Sequence, residues 1–153
     1  MQTVRASCYM GLNAVLRDAA AAQGRTPWVV LVSSNEMSAR SAMIDERVLT
    51  KSYKIPLQDI LRIECFDGDP FDYPGATLFS DSTAQQIANF LNRGFWNSEA
   101  DLVVSCPTGI SISPSIAKGL YEKTPHRLGL ALHPTKPPKF SSRILKSVAQ
   151  YVS

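Results

Sequence analysis

The chain has 153 residues, 44% of them hydrophobic and 19% charged, with a net charge of +3. That length and apolar content suit one folded domain with one substantial core and exclude a disordered chain. The mild charge argues against a nucleic-acid-binding or membrane-surface protein, and no apolar run approaches the roughly 20 residues that a membrane-spanning helix needs.

The N-terminal stretch "MQTVRASCYMGLN" lacks the apolar core of a signal peptide. Within it, "QTVRAS" reads as a short first strand. "GLNAVLRDAAAAQG" reads as a helix, because Leu12, Val15, Leu16 and Ala19 recur at helical spacing and Gly24 is a fitting stop. "PWVVLVSS" is a continuous apolar run, as a strand covered on both faces has. "NEMSARSAMIDERVLTKSYKIP" is polar and mixed and reads as loop with a short helical turn. "DILRIECFD" is the next strand, and "GDPFDYPG", with two prolines and two glycines in eight residues, is a loop.

"SDSTAQQIANFLNRG" predicts a helix that starts at Ser80 to Ser82 and stops at Gly94. "DLVVSC" is another buried strand. "SPSIAKGLYEK" follows as a helix, with Ser113 as N-cap and Pro114 at the first helical position. "HRLGLALHPTKPPKF" holds a further apolar stretch and a proline-rich turn, and "SSRILKSVAQYV" is a closing helix. No internal repeat and no linker interrupts residues 1–153, which read as a single domain. The alternation of strands and helices predicts an α/β fold: a central, mostly parallel sheet flanked by helices on both faces. Its working site lies at the carboxyl ends of the strands.

Three cysteines, Cys8, Cys65 and Cys106, form no spaced framework and no CxxC pair, which points to a reduced, cytoplasmic protein. His126 and His133 are the only histidines, and neither stands at metal-ligand spacing from a cysteine. Nothing in the chain calls for a metal or a cofactor. Cys8 and Cys65 read as core residues. Lys136, Lys139, Arg143 and Lys146 give the C-terminal segment a basic character. They read either as a solvated helix face or as a surface for an acidic partner or a nucleic-acid backbone. No aromatic ladder accompanies them, so single-strand stacking is not supported.

The stretch "LVVSCPTGISISPSIAKGL" places Cys106 at a strand end, followed by a tight loop and a helix. A helix N-terminus with inward backbone N–H groups is a ready anion cradle. Here the sequence resembles the cysteine-dependent protein phosphatases of the tyrosine and dual-specificity class, in particular small bacterial or phage-type members. Cys106, Gly109, Ser111 and Ser113 fall in register with "CxxGxSRS". "LRIECFDGDP" resembles the family's strand and acid loop, and "LFSDSTAQQIANFLNRG" the helix before the catalytic strand. The resemblance implies a protein tyrosine phosphatase-like fold. It implies Cys106 as nucleophile, Asp67 as general acid with Asp69 as the second candidate, and Ser113 as a hydroxyl that stabilises the thiolate. The loop Pro107, Thr108, Gly109, Ile110, Ser111, Ile112 and Ser113 becomes the anion-binding element, holding a small anion such as phosphate or sulfate.

Two positions depart from the pattern. Ser105 stands where the family has histidine, and Ile112 stands where it has the loop arginine. Arginine supplies a bidentate, charge-matched fork for phosphoryl oxygens. By analogy with arginine fingers, its loss costs on the order of 10³–10⁵ in rate. Isoleucine also puts an apolar side chain where an anion should bind. The expectation is therefore a catalytically impaired phosphatase fold, a pseudophosphatase, that binds or inhibits a protein partner. The phage-type flavour of the resemblance extends that to a host protein. The alternative is an active thiol-dependent hydrolase in which Arg40 or Arg62 replaces the lost clamp. Phe71 and Tyr73 would form a recognition rim, or else pack their loop on the core.

Overall fold

The computed structural model describes residues 1–33, 46–65, 78–134 and 136–152. The apolar runs become five strands: β1 (Gln2–Cys8), β2 (Trp28–Ser33), β3 (Ile60–Glu64), β4 (Leu102–Cys106) and β5 (Leu128–His133). The described helices are α1 (Leu12–Gln23), α2 (Glu46–Ser52), α3 (Asp81–Asn92), α4 (Ile112–Lys123) and α5 (Ser142–Tyr151). None of them is long and apolar enough to cross a membrane.

Local chemistry sets the helix ends. The stripe Leu12, Val15, Leu16 and Ala19 is buried along α1, and Gly24 ends that helix in the left-handed region at φ 69°. Ser80 caps α3 in a capping box with Thr83, Ser80 N donating to Thr83 Oγ1 at 3.3 Å. The polar stretch before "KIP" was expected to hold only a helical turn, yet Glu46–Ser52 forms a seven-residue helix. It gains stability from tertiary packing, since Leu49 is buried against α1 and the sheet. One helix start is corrected. The cap of α4 is Ser111, not Ser113, so Ser113 and Pro114 lie inside the first turn.

The sheet order is β3-β2-β4-β1-β5. Every strand pair in it is parallel, where the sequence suggested only mostly parallel. The side-chain alternation of β2 shows why its sequence is apolar throughout. Val30 and Val32 join the core beneath α3, α4 and α5, while Val29 and Leu31 join the core beneath α1 and α2.

The layering follows from handedness. From β1 to β2 to β3 the chain moves one way along the sheet, so right-handed crossovers put α1 and α2 on one face. From β3 to β4 to β5 it moves the other way, and α3 and α4 cover the opposite face. β1 and β4 are neighbours, yet their outgoing loops lead to opposite faces. Such a topological switch point leaves a crevice beyond the strand ends, where ligands bind in open α/β sheets. Cys106 is the last residue of β4 and Cys8 the last of β1.

Candidate functional site

Two strand ends meet at this switch point in exact pairing: Ser7 opposite Ser105 and Cys8 opposite Cys106. Tyr9 N, one residue past β1, donates to the Cys106 carbonyl at 3.1 Å and carries the ladder beyond the strand. The loop 107–111 then turns back over β1. At its centre Gly109 has φ +70°. A Cβ there would lie 2.8 Å from Cys8 N and 2.9 Å from Cys8 Cβ, so this position has no room for a side chain.

The loop converges on the Cys106 sulfur. Gly109 N donates to Sγ at 3.2 Å and Ser113 N at 3.4 Å. The thiol in turn lies 3.1 Å from Ser113 Oγ and donates to it, and that hydroxyl donates to the Ser7 carbonyl at 3.1 Å. Cys106 is 2% exposed. Two amides and a hydroxyl thus surround the buried sulfur. This use of Ser113 explains the shifted cap. Its hydroxyl serves the sulfur and strand β1, and is not available to the helix N-terminus. Ser105 is fully buried; it donates to the Ser7 carbonyl at 3.2 Å and accepts from Ser7 Oγ at 3.2 Å. It ties β4 to β1 as a satisfied buried hydroxyl.

Ile112 departs from the expectation that it would desolvate the anion position. It sits in the first turn of α4, half-buried, and its side chain packs against the core beneath α3, α4 and α5. The position that carries a cation in the phosphatase pattern is thus an apolar packing position. Pro107 and Ile110 are half-buried, Thr108 is exposed, and Thr108 Oγ1 accepts from Ile110 N at 3.4 Å. Among the described residues, no group of three or more His, Cys, Asp or Glu side chains gathers as a metal site.

No family model, curated protein or solved structure matches the chain. The site therefore rests on its own geometry. Asp67, Asp69, Phe71, Tyr73 and Arg40 lie outside the described residues. Of the two candidate replacement arginines, Arg62 is described. It stands on the exposed side of β3, at the sheet edge.

Tyr9 is the site residue that sequence reasoning passed over. It is half-buried, and its phenol donates to the Val32 carbonyl at the end of β2. Burial pushes this phenol up to about 12; the Arg62 charge pulls the other way, and Cys106 and Cys65 add to the rise. Tyr9, Arg62, Cys106 and Cys65 thus share one electrostatic environment at the carboxyl end of the sheet. The available signal was its place, one residue past the end of a strand. The proline-rich turn was also passed over. Lys139 N donates to the Ile110 carbonyl at 2.8 Å, and Ser141 N to Ser115 Oγ at 2.8 Å. The turn is a strap fastened to the cradle loop at one point and to α4 at the other.

Proposed function

We propose that the protein is a catalytically impaired, phosphatase-like module that uses its thiol cradle for binding rather than turnover, with a protein as partner. One observation carries this reading. The Cys106 sulfur keeps two backbone donors and the Ser113 hydroxyl, whereas the adjoining arginine position is an isoleucine packed into the core. A small anion such as phosphate would share these donors with the sulfur and the Ser7 carbonyl and would therefore be held weakly. Without a guanidinium fork, charge developing on a transferred phosphoryl group is left largely uncompensated, at a cost on the order of 10³–10⁵ in rate.

The test is hydrolysis of an aryl phosphate by wild type, Cys106→Ser and Ile112→Arg, each first shown to be folded by its unfolding curve. The expected result is a silent wild type and Cys106-dependent turnover in Ile112→Arg, its side chain turned from the core to the loop. Wild-type turnover that Cys106→Ser abolishes would overturn the reading. A second reading, an active hydrolase clamped by Arg62, draws on the action of that charge on Tyr9 in the same environment as Cys106. Adding Arg62→Ala to the series separates it: only this reading expects wild-type turnover that Arg62→Ala removes.

A further inference from the structure

The positive charge missing from the loop is present in the chain around it. Residues 102–153 carry seven of the sixteen Lys and Arg residues but only Glu122 of the thirteen Asp and Glu. The fold gathers the central part of this excess beside the cradle. Lys136 and Lys139 are exposed on the strap that is hydrogen-bonded to Ile110 and Ser115. Pro137 and Pro138 stand between them, so both lysines rise from a stiffened backbone. Lys118 Nζ lies 4.3 Å from the centre of the Phe140 ring and covers the strap's aromatic residue. The strap leads into α5, where Arg143 and Lys146 are exposed. These two residues border a cleft of about 420 Å³ with Phe79, Ser80, Asp81 and Ser147. Among the described residues that line it, the one acid is Asp81, which accepts the Ser147 hydroxyl at 2.6 Å.

We infer that the strap and α5 form a docking face for an acidic protein segment, rich in Asp and Glu, that passes beside the mouth of the Cys106 loop. This rests on the binding-module reading and names the chemistry of its partner. Charge complementarity is the first argument. The second is that the lysines sit on a strap fastened at two points, which lowers the ordering cost of binding. A protein suits the face better than a nucleic acid. Phe140 is exposed but stands alone, with Lys118 over its ring, so the face lacks the succession of aromatic rings on which single-stranded bases stack. Met10, 94% exposed in the turn after β1 at the same end of the sheet, offers an adaptable apolar contact of the kind protein partners use.

The experiment is fluorescence anisotropy with a labelled twelve-residue peptide of Glu and Asp around one Leu, and with an oligonucleotide of equal charge. Three forms of the full chain are compared. They are wild type, the face variant Lys136→Ala/Lys139→Ala/Lys146→Ala, and the control Arg17→Ala/Lys51→Ala, whose exposed residues lie on α1 and α2 across the sheet. The expected result is peptide binding that weakens with salt, falls about tenfold or more in the face variant and stays within about twofold in the control. No peptide binding, or equal losses in the two variants, overturns the inference. So does tighter binding of the oligonucleotide that the face variant abolishes. Turnover of aryl phosphate by wild type fails the binding-module reading separately, in an assay that does not depend on the peptide.

Discussion

Replacing Gly109 by alanine tests whether the cradle loop is seated on β1 as described. Two costs apply. The backbone has φ +70°, and an L side chain in the left-handed region costs about 1–2 kcal/mol. The new Cβ also meets the backbone of Cys8 at 2.8–3.0 Å, and overpacking of a closed site costs about 1–3 kcal/mol. The sum is about 2–5 kcal/mol, a large share of the roughly 5–15 kcal/mol that holds a domain folded. Gly24→Ala is the matched control. Its φ is +69°, yet nothing lies within 4 Å of its added Cβ, so only the conformational cost applies. Lys54 and Glu99, at φ 60° and 59°, show that this chain carries side chains in that region where space allows. Urea unfolding of both variants should place Gly109→Ala about 1–3 kcal/mol below Gly24→Ala. Equal losses would refute the close approach of loop and strand. Displacement of the loop in Gly109→Ala should also uncover the buried Cys106, read as faster alkylation of its thiol.

Other residues give equally direct tests. Asp101 is fully buried and accepts from Thr3 N at 2.8 Å, Arg5 Nε at 2.9 Å and Gln23 Nε2 at 2.8 Å. Asp101→Ala strands the largely buried Arg5 charge, and urea unfolding should show a loss of about 3–5 kcal/mol, with Asp101→Asn losing less. His133 is held below its ordinary range, first by burial and then by Arg5, with Asp18 opposing, and its Nε2 has no hydrogen-bond partner among the described residues. The unfolded chain therefore takes up this proton first as pH falls. Stability should drop from about pH 6.5 downward until His133 titrates in the folded state, and His133→Gln should flatten that part of the profile. Tyr9, raised to about 12, works in the opposite sense: its stabilisation is complete below pH 10 and is lost between about 10 and 12. Tyr9→Phe should remove that alkaline loss and cost about 0.5–1.5 kcal/mol at neutral pH through the bond to Val32.

The fold was legible wherever burial alone decides the sequence. The run "WVVLVS" had to be covered on both faces, and the stripe Leu12, Val15, Leu16 and Ala19 had to face a core; both are found so. The strand order was not legible, because nothing in the chain states that β4 inserts between β1 and β2. The site was legible in part. Cys106 and Gly109 stand out by residue type and spacing, and Gly109 is where the backbone must turn closely over Cys8. The cap of α4 was misread because a serine before proline fits the N-cap pattern equally well at 113. Only the three-dimensional need of the Cys106 sulfur and the Ser7 carbonyl draws Ser113 inward and leaves Ser111 at the helix start. Tyr9 and the strap were missed for the same reason. Their roles come from partners more than twenty residues away: Val32 for one, Ile110 and Ser115 for the other.

If the proposed binding reading holds, the arrangement of charge bears on why such a cradle would bind without turning over. A cation beside the buried sulfur would act through a low dielectric on charge as it develops, and there each elementary charge counts for much. The lysines of the strap are exposed, so water and salt screen them and each contributes little to any one fixed anion. Their summed field still raises the encounter rate with an acidic surface. On the proposed binding reading, positive charge at the rim rather than the floor of the cradle would favour attraction at a distance over transition-state stabilisation. Ile112 packs against the core in the first turn of α4, the turn from which Ser113 N reaches the Cys106 sulfur. The cradle then owes its shape to hydrophobic packing, to Gly109 over Cys8 and to the serine hydrogen bonds, so that it stands without the arginine that the phosphatase pattern places there.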